Sequence, residues 1–282
     1  MKFAVLADIH GNYPALQTVT DHIERWQPDK VFVAGDIVNR GPNPIECLKL
    51  VQEKQQTDGW QVVRGNHEEY VIGFADPDSS YNKIEYKIFQ CSHWTYQLLG
   101  EGLSALQEMP FYLDVCGSGI ADARVVHASM AGSSDGVFPF TSDIQLRHKI
   151  QTSEHSPPPL MCVAHTHFPL MRRIDNSHVV NVGAVGLPFD GDHRASYGQF
   201  SWRDGKWFAE IIRLDYDRAL AEANFTKTGF IDGAGPVSLL ILDELKTAQS
   251  RLFQWTMEYQ APTLAGKITV EESVQRFLKS LR

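Results

Sequence analysis

Seven side chains of the kinds that bind metal ions stand where short apolar runs of the sequence end. They are Asp8, His10, Asp36, Asn66, His127, His165 and His167. Carboxylates, an amide oxygen and imidazoles together suit borderline divalent ions such as Mn, Fe, Zn or Co better than Ca or Mg. A lone histidine usually lies on the surface or in a satisfied core position. The recurrence of such residues at successive run ends instead predicts a metal site.

The apolar runs have the composition of strands that are buried on both faces, being rich in Val, Ala, Phe, Leu and Met. They span residues 2–8, 30–36, 60–66, 123–128 and 160–166. In an open α/β sheet the carboxyl ends of the strands gather at one edge, where ligands bind. Asp8 and His10 are two residues apart, as are His165 and His167. If extended, both members of each pair leave one face and reach a common centre.

Helical patterns separate the first three runs. Pro14 and Pro44 suit the first turns of helices whose apolar residues recur at helical spacing. Strand, helix, strand, helix and strand within 66 residues indicate an α/β sheet with right-handed crossovers.

Beyond residue 66 the alternation of apolar runs and helical patterns ends. Residues 67–110 are helical and rich in aromatic residues, and they predict an inserted helical subdomain near the active-site mouth or a helical packing layer. Strands follow residue 178, with a hairpin turn at Asp204 and Gly205. Helices are predicted at roughly 236–258 and 270–281. The predicted organisation is a core over residues 1–215, which includes the insertion, and a C-terminal helical extension over 216–282 packed on it.

Composition narrows the class of protein. The 282 residues carry a net charge of -8, whereas a protein that grips a nucleic-acid backbone usually has a basic face. The four cysteines have no C-x-x-C spacing and indicate reduced thiols. No run reaches the roughly 18 apolar residues of a membrane span, and the first residues do not form a signal peptide. We therefore expect a cytoplasmic protein without a membrane or nucleic-acid partner.

Five motifs occur in order: DIHGN (8–12), GDIVNRG (35–41), RGNHE (64–68), VVHA (125–128) and AHTH (164–167). Together they resemble the calcineurin-like metallophosphoesterase superfamily, particularly its small bacterial and archaeal phosphoesterases, with protein-phosphatase-like GDxxxRG and RGNHE forms. The resemblance implies an α/β fold: a four-layer αββα sandwich of two mixed sheets flanked by helices. Two positions depart from the family pattern. Ala164 stands where the family usually has Gly, and Asn39 where protein phosphatases carry Asp.

The resemblance also implies a centre of two divalent transition-metal ions, with Mn, Fe or Zn as the candidates. Asp8, His10 and His167 would bind one ion, Asn66, His127 and His165 the other, and Asp36 would bridge them. A carboxylate suits the bridging position because its two oxygens can serve two cations. Two ions about 3.5–4 Å apart can generate a bridging hydroxide near neutral pH and clamp phosphate oxygens.

The candidates for substrate contact lie in the same motifs. His67 would protonate the leaving alkoxide, as the family uses it. Arg40 and Arg64 are candidate phosphate clamps because guanidinium binds phosphate through a bidentate fork, and Asn66 is a further candidate. For Arg64 a structural ion pair is an equal alternative. Glu68 is interpreted as a supporting or helix-start carboxylate.

Residues 181–197 resemble a loop of small bacterial and archaeal members in which Phe189 replaces an Arg. His193 and Arg194 lie in it, either approaching substrate or shaping a structural loop. Asn12 is a further loop residue, with phosphate contact as the alternative.

The predicted function is a dinuclear-metal hydrolase that cleaves phosphate monoesters or diesters by attack of a metal-bridging hydroxide. Its substrate is expected to be a phosphorylated small molecule, a nucleotide or a phosphoprotein. A diadenosine-polyphosphate hydrolase is an alternative within the same class. A catalytically weak binding or scaffold protein on the same fold is the alternative outside it, and a complete ligand set argues against it.

Overall fold

The computed structural model describes residues 1–76 and 83–281. Within this part of the chain, two mixed sheets of five strands form the centre of the fold. The strands are β1 (Lys2–Leu6), β2 (Lys30–Ala34), β3 (Gln61–Val63), β4 (Tyr112–Val115), β5 (Ala123–Val126), β6 (Leu160–Val163), β7 (Leu170–Ile174), β8 (Ser177–Asn181), β9 (Ala195–Arg203) and β10 (Lys206–Leu214). Their order is β10-β9-β1-β2-β3 in the first sheet and β4-β5-β6-β8-β7 in the second.

The central strands run in parallel, so their carboxyl ends reach the same edge. β1, β2 and β3 are parallel neighbours in the first sheet, and β5, β6 and β8 in the second. The antiparallel strands β4 and β7 were not expected from the sequence, because neither carries an uninterrupted apolar run. β9 and β10 form the predicted hairpin.

Helices cover both sheets and fill the C-terminal quarter. They are α1 (Tyr13–Trp26), α2 (Pro44–Asp58), α3 (Asn66–Ile72), α4 (Lys83–Ile88), α5 (Gln90–Leu99), α6 (Leu103–Gln107), α7 (Asp143–Lys149), α8 (Arg218–Lys227), α9 (Phe230–Gly233), α10 (Ser238–Thr247), α11 (Arg251–Trp255), α12 (Ala261–Leu264) and α13 (Val270–Ser280). Short 3-10 turns lie at Gly73–Ala75 and Gly100–Gly102, and a π-helical turn lies at Thr256–Gln260. None of the helices described is long and apolar enough to cross a membrane.

Successive side chains of the buried strands point to opposite faces of each sheet and enter different apolar clusters, which produces the four layers. Side chains such as Phe3 and Phe32 from the first sheet pack against Val125 and Cys162 from the second. The outer face of the first sheet is covered by α1 and α2, and that of the second by α7. This arrangement confirms the predicted αββα sandwich. The carboxyl ends of the parallel strands of both sheets lie at one common edge. The sequence alone predicts the edge of one sheet only.

The helices after residue 216 share an apolar cluster with the segment after residue 83. Phe230, Ile241, Trp255 and Phe277 are buried there with Cys91 from α5. The helix predicted over 236–258 is interrupted, because Ala248 adopts a left-handed conformation that ends α10. Tyr81, which belongs to the predicted aromatic-rich stretch, lies outside the described residues. The domain boundary near residue 215 stays a prediction.

Candidate metal centre

Two groups of side chains at the shared edge bring metal-binding atoms together. Asp8, His10, Asp36 and His167 place one such atom each within 4.8 Å of one another. Asp36, His127 and His165 form a second group by the same measure. Asp36 belongs to both groups, and Asn66 adjoins the second, since its Oδ1 lies 3.0 Å from His127 Nε2 and 2.9 Å from His165 Nδ1. All seven residues predicted as ligands therefore converge.

Each carboxylate uses one oxygen on the backbone and aims the other into the centre. Asp8 Oδ2 accepts a hydrogen bond from the His165 N–H at 3.0 Å, and Asp36 Oδ1 accepts one from the His67 N–H at 2.9 Å. The remaining oxygens, Asp8 Oδ1 and Asp36 Oδ2, are buried without a hydrogen-bond partner. Because a buried carboxylate oxygen without a partner is strongly unfavourable, their environment fits bound cations.

The imidazoles are held by their second nitrogens. The Nδ1 atoms of His10, His127 and His167 face the backbone carbonyls of Asn39, Ala34 and Leu187. A carbonyl at Nδ1 selects the tautomer that leaves the Nε2 lone pair free for a metal. His10 Nε2 then lies 3.3 Å from His167 Nε2, so that two lone pairs oppose each other. A cation between them would relieve this contact.

Electrostatics agree with metal binding. Burial lowers the pKa values of His10 and His167 well below the ordinary histidine value, and lowers the pKa of His165 to about 4, so these rings are neutral. Burial also opposes protonation of His127, but the Asp36 carboxylate outweighs it and raises the pKa of His127 to about 10. A divalent cation would replace that proton, because a metal-bound imidazole nitrogen must be unprotonated.

The ligand pairs are not extended, contrary to the expectation from their spacing. Asp8 and His10 have φ values of 52° and 47°, and His165 and His167 have values of 67° and 60°. Each strand ends one to three residues before its first ligand, and tight left-handed turns aim the side chains. His165 and His167 consequently enter different groups rather than a common centre. Left-handed backbone outside glycine is sparsely populated, and functional sites are where it concentrates.

Gly35 and Gly65 lie where two chain segments approach each other too closely for a side chain. A Cβ on Gly35 would lie 2.7 Å from Gly65 N, and one on Gly65 would lie 2.1 Å from Asp36 Oδ1. Any larger residue would push the second and third strand ends apart and displace Asp36. Ala164 needs no such freedom, because it is not among the residues with positive φ and its methyl group is buried between the sheets.

Glu68 holds the loop that carries Asp36. Its carboxylate accepts hydrogen bonds from the backbone N–H groups of Asp36, Ile37 and Gly65 at 2.8, 2.8 and 2.9 Å, and from Val38 at 3.2 Å. The side chain is fully buried. Glu68 therefore acts as the supporting carboxylate that the sequence suggested, although its four partners could not be foreseen.

Glu68→Gln is expected to lower the free energy of unfolding by about 3 kcal/mol, because the new NH2 group would face backbone N–H donors. Urea unfolding monitored by circular dichroism measures this change. Glu69→Gln, at the next residue, is the matched control, since the carboxylate of Glu69 is partly exposed and pairs with Arg64 at 3.6 Å. We expect it to change stability by less than about 1 kcal/mol. Equal losses for the two variants would contradict the role of Glu68.

His67 occupies the first turn of α3 rather than an extended segment. Its Nδ1 lies 2.9 Å from Asn39 Nδ2. The orientation of the Asn39 amide is fixed because its Oδ1 accepts from the Arg40 N–H at 2.9 Å. Asn39 therefore donates to Nδ1, and the His67 proton resides on Nε2. Burial also lowers the pKa of His67 to about 3, which favours the same neutral form.

Arg40 is nearly buried and contacts the C-terminal helices. Its guanidinium forms an ion pair with the fully buried carboxylate of Glu244 in α10. Its Cζ also lies 5.5 Å from the ring centroid of Phe189, which stacks on the candidate ligand His167 with centroids 4.2 Å apart. Arg40 Nε is buried without a partner. The guanidinium is thus fixed near the metal-binding groups, with one donor still available.

The other predicted substrate residues lie in structural contacts. Arg64 is partly exposed and pairs with Glu69, and its Nη1 donates to the Gln107 carbonyl at 3.4 Å. Arg194 forms an ion pair with Asp192 of its own loop. Asn12 caps α1 by accepting from the Ala15 N–H, at 3.3 Å. His193 is partly exposed in the same loop as Arg194.

Glu244 and Phe189 are site residues that sequence reasoning missed. A signal for Glu244 existed, because it follows Leu240 and Ile241 at helical spacing on the buried stripe of α10. A carboxylate on such a stripe is almost never fully buried unless it is paired. Nothing in the sequence identified Arg40, 204 residues away, as its partner.

A model of the calcineurin-like phosphoesterase family matches residues 1–183. The chain therefore belongs to the calcineurin-like phosphoesterases, as its motifs predicted. The family supports a phosphoesterase hydrolase, and the described residues include two groups that can bind metal.

Relatives agree with this membership. An uncharacterized protein of Methanocaldococcus jannaschii is 27% identical over 232 residues, which cover 76% of this chain and 87% of the relative. A metallophosphoesterase from Sphaerobacter thermophilus is 26% identical, with a TM-score of 0.67, over 88% of this chain and 100% of that one. A hypothetical protein from Pyrococcus horikoshii shares the fold alone. It is 23% identical, with a TM-score of 0.72, over 88% of this chain and 98% of that one.

A shorter similarity involves symmetrical bis(5'-nucleosyl)-tetraphosphatases. A symmetrical bis(5'-nucleosyl)-tetraphosphatase of Haemophilus influenzae is 35% identical over 72 residues, a quarter of each chain.

Proposed function

We propose that this protein hydrolyses phosphate monoesters or diesters with two divalent transition-metal ions, for which Mn, Fe and Zn are the candidates. The observation that carries the proposal is the position of Asp36. This residue belongs to both metal-binding groups, and its unpartnered Oδ2 lies 3.6 Å from His10 Nε2 and 3.3 Å from His127 Nε2. One carboxylate between two sets of imidazoles suits a bridge between two cations.

The proposed division of ligands follows the two groups. Asp8, His10 and His167 would hold one ion, and Asn66, His127 and His165 the other. Two ions held in this way would supply an activated water and a clamp on the phosphate oxygens. Glu68 and the carbonyls behind the imidazoles keep the ligands in place, which is the usual function of such supporting partners.

His67 is proposed to act on the leaving group. Since Asn39 occupies its Nδ1, the ring can offer the Nε2–H to the leaving oxygen of a substrate. The neutral form supports a hydrogen-bond donor, as neutral imidazoles serve in other enzymes, rather than a freely protonated imidazolium. This refines the general-acid role expected from the motif.

Arg40 is proposed to bind a phosphate oxygen, while the contacts of Arg64 support a structural role. Arg40→Lys keeps the charge but loses the guanidinium fork, so we expect kcat/KM for p-nitrophenyl phosphate to fall at least about tenfold with metal content unchanged. The same change at Arg64 is expected to alter kcat/KM less than about threefold. Steady-state kinetics of both variants test the assignment, and the reverse order of effects would overturn it.

A scaffold protein without turnover would not need a complete ligand set, whereas here all seven ligands converge. A dinucleoside-polyphosphate hydrolase is suggested by the tetraphosphatase similarity, but that similarity covers only a quarter of the chain.

The experiment that tests the proposed function is a substrate screen after metal removal and reconstitution with Mn, Ni, Fe or Zn. The panel contains p-nitrophenyl phosphate, bis-p-nitrophenyl phosphate, phosphopeptides and nucleotides. We expect metal-dependent release of product from at least one ester class, at least about a hundredfold above the metal-free protein. No turnover with any metal would favour the scaffold alternative.

A further inference from the structure

A cavity of about 230 Å³ adjoins the candidate metal centre. Asn66, His67 and Arg40 line part of it, and the rest is lined by the segment after residue 67 and by the C-terminal helices. These helices lie outside the part of the chain that matches the family model, which ends at residue 183. The cavity is therefore lined both by residues inside the matched part of the chain, such as Tyr70 and Phe89, and by residues beyond it.

The position of the cavity relates it to the leaving group of a substrate. His67, which is proposed to face the leaving oxygen, forms part of the cavity lining beside the ligand Asn66. Its ring contacts Tyr70, with centroids 5.2 Å apart, and Tyr70 in turn contacts Phe89 at 5.9 Å. A group attached to the leaving oxygen would consequently extend from His67 along these aromatic rings.

The lining is apolar and aromatic over most of its area. Among the lining residues that the structure describes, the large apolar and aromatic side chains include Tyr70, Ile88, Phe89, Ile241, Leu252 and Trp255. Among the described lining residues, Arg40 is the one charged side chain, and its charge is paired with Glu244. A chain of further phosphates would find no unpaired cation among these residues, and burying such charges without partners is strongly unfavourable.

The size of the cavity limits what can enter. About 230 Å³ is below the roughly 300–1,000 Å³ of pockets that enclose drug-sized ligands. One ring-containing group can be accommodated, whereas both halves of a dinucleoside polyphosphate cannot. Aromatic walls favour a flat or apolar ring through stacking and burial.

We propose that this cavity binds the leaving group of the substrate and selects a phosphate ester of an uncharged, ring-containing alcohol. The proposal rests on the proposed phosphoesterase function, which it deepens by naming a substrate class. It assigns specificity to α10, α11 and the π-helical turn at Thr256–Gln260, together with the aromatic residues that follow His67.

Two simple esters test the selection in the wild-type protein. Benzyl phosphate and ethyl phosphate both release alcohols of similar acidity, so they differ mainly in the ring. With metal-loaded protein we expect kcat/KM for benzyl phosphate to exceed that for ethyl phosphate at least about tenfold. A ratio near one would overturn the proposal, as would a tenfold preference for a bis(5'-nucleosyl) tetraphosphate over benzyl phosphate.

Binding measurements separate this proposal from the proposed function. Benzylphosphonate and ethylphosphonate cannot be hydrolysed at the P–C bond, so calorimetry on the metal-loaded protein reports the cavity without turnover. At least about tenfold tighter binding of benzylphosphonate supports the subsite even if the ester screen shows no hydrolysis. Equal affinities would overturn the subsite even if the protein is an active phosphoesterase.

Variants locate the preference in the cavity. Ile241→Trp fills it, and Leu252→Ala removes part of its wall; each is expected to reduce the benzyl-to-ethyl ratio at least about fivefold. Ile144→Trp makes the same exchange in α7, at a position that is 70% exposed and does not line the cavity, and is the matched control, with the wild-type ratio expected. Circular dichroism and metal content identify folded variants. A wild-type ratio in folded Ile241→Trp and Leu252→Ala would overturn the proposal.

Discussion

Asp36→Asn is expected to abolish two-metal binding and to reduce kcat for p-nitrophenyl phosphate at least about a thousandfold, or about 4 kcal/mol in activation free energy. The substitution preserves the shape of the side chain, and Asn tolerates the left-handed conformation at φ 55°. It removes the negative charge and places an amide NH2 group at the position of Oδ2, the oxygen that faces both metal-binding groups. Loss of a bridge, rather than of folding, is therefore the expected cause.

Metal content by mass spectrometry and steady-state kinetics measure the two effects together. Asp204→Asn is the matched control, because Asp204 is an exposed residue with a similar φ of 51° in the β9–β10 turn. We expect wild-type metal content and turnover from this variant. Wild-type metal content and activity in Asp36→Asn would contradict the bridging assignment.

His67→Ala is expected to retain the metal ions and to slow hydrolysis in proportion to the difficulty of the leaving group. For an alkyl phosphate the loss should reach about 10²–10³-fold, because the hydrogen bond from Nε2 stabilises the negative charge that develops on the leaving alkoxide. For p-nitrophenolate, which leaves without such help, the loss should be much smaller. The reason is structural: Asn39 donates to Nδ1 and directs the only ring proton outward from Nε2.

A leaving-group series in both proteins measures this dependence as the slope of log kcat against the acidity of the alcohol. His155→Ala serves as the control. His155 lies in the loop before β6, where its ring contacts the hydroxyl of Tyr112 in β4, and it belongs to neither metal-binding group. Its slope should equal that of the wild type. Equal losses for the alkyl and p-nitrophenyl esters in His67→Ala would exclude a role on the leaving oxygen.

The convergence of the candidate ligands could be predicted from the sequence because each of them follows a buried strand that is recognisable by itself. Apolar runs determine the parallel centre of both sheets, and parallel strands bring their ends to one edge. The directions of the side chains could not be predicted in this way. Asp8 and His10 reach the centre through left-handed turns that no hydrophobic period encodes.

Contacts between residues that are far apart in the sequence could not be predicted either. The pairing of Arg40 with Glu244 joins residues 204 positions apart, and the stacking of Phe189 on His167 depends on how two loops meet. Strands β4 and β7 were missed for a related reason: Asp114 in β4 and Met171 and Arg173 in β7 are exposed, and the polar residues break the apolar run. Such features arise from tertiary packing rather than from local preference.

The central claim is that two ions share Asp36 and that turnover requires both. Titration of metal-free protein with Mn or Zn, with bound metal and hydrolysis of p-nitrophenyl phosphate and bis-p-nitrophenyl phosphate followed in the same samples, tests it most directly. We predict a limit of two ions per chain, with turnover of at least one ester rising as the second ion binds. Full turnover with one ion per chain, or binding that saturates at one ion, would contradict the account.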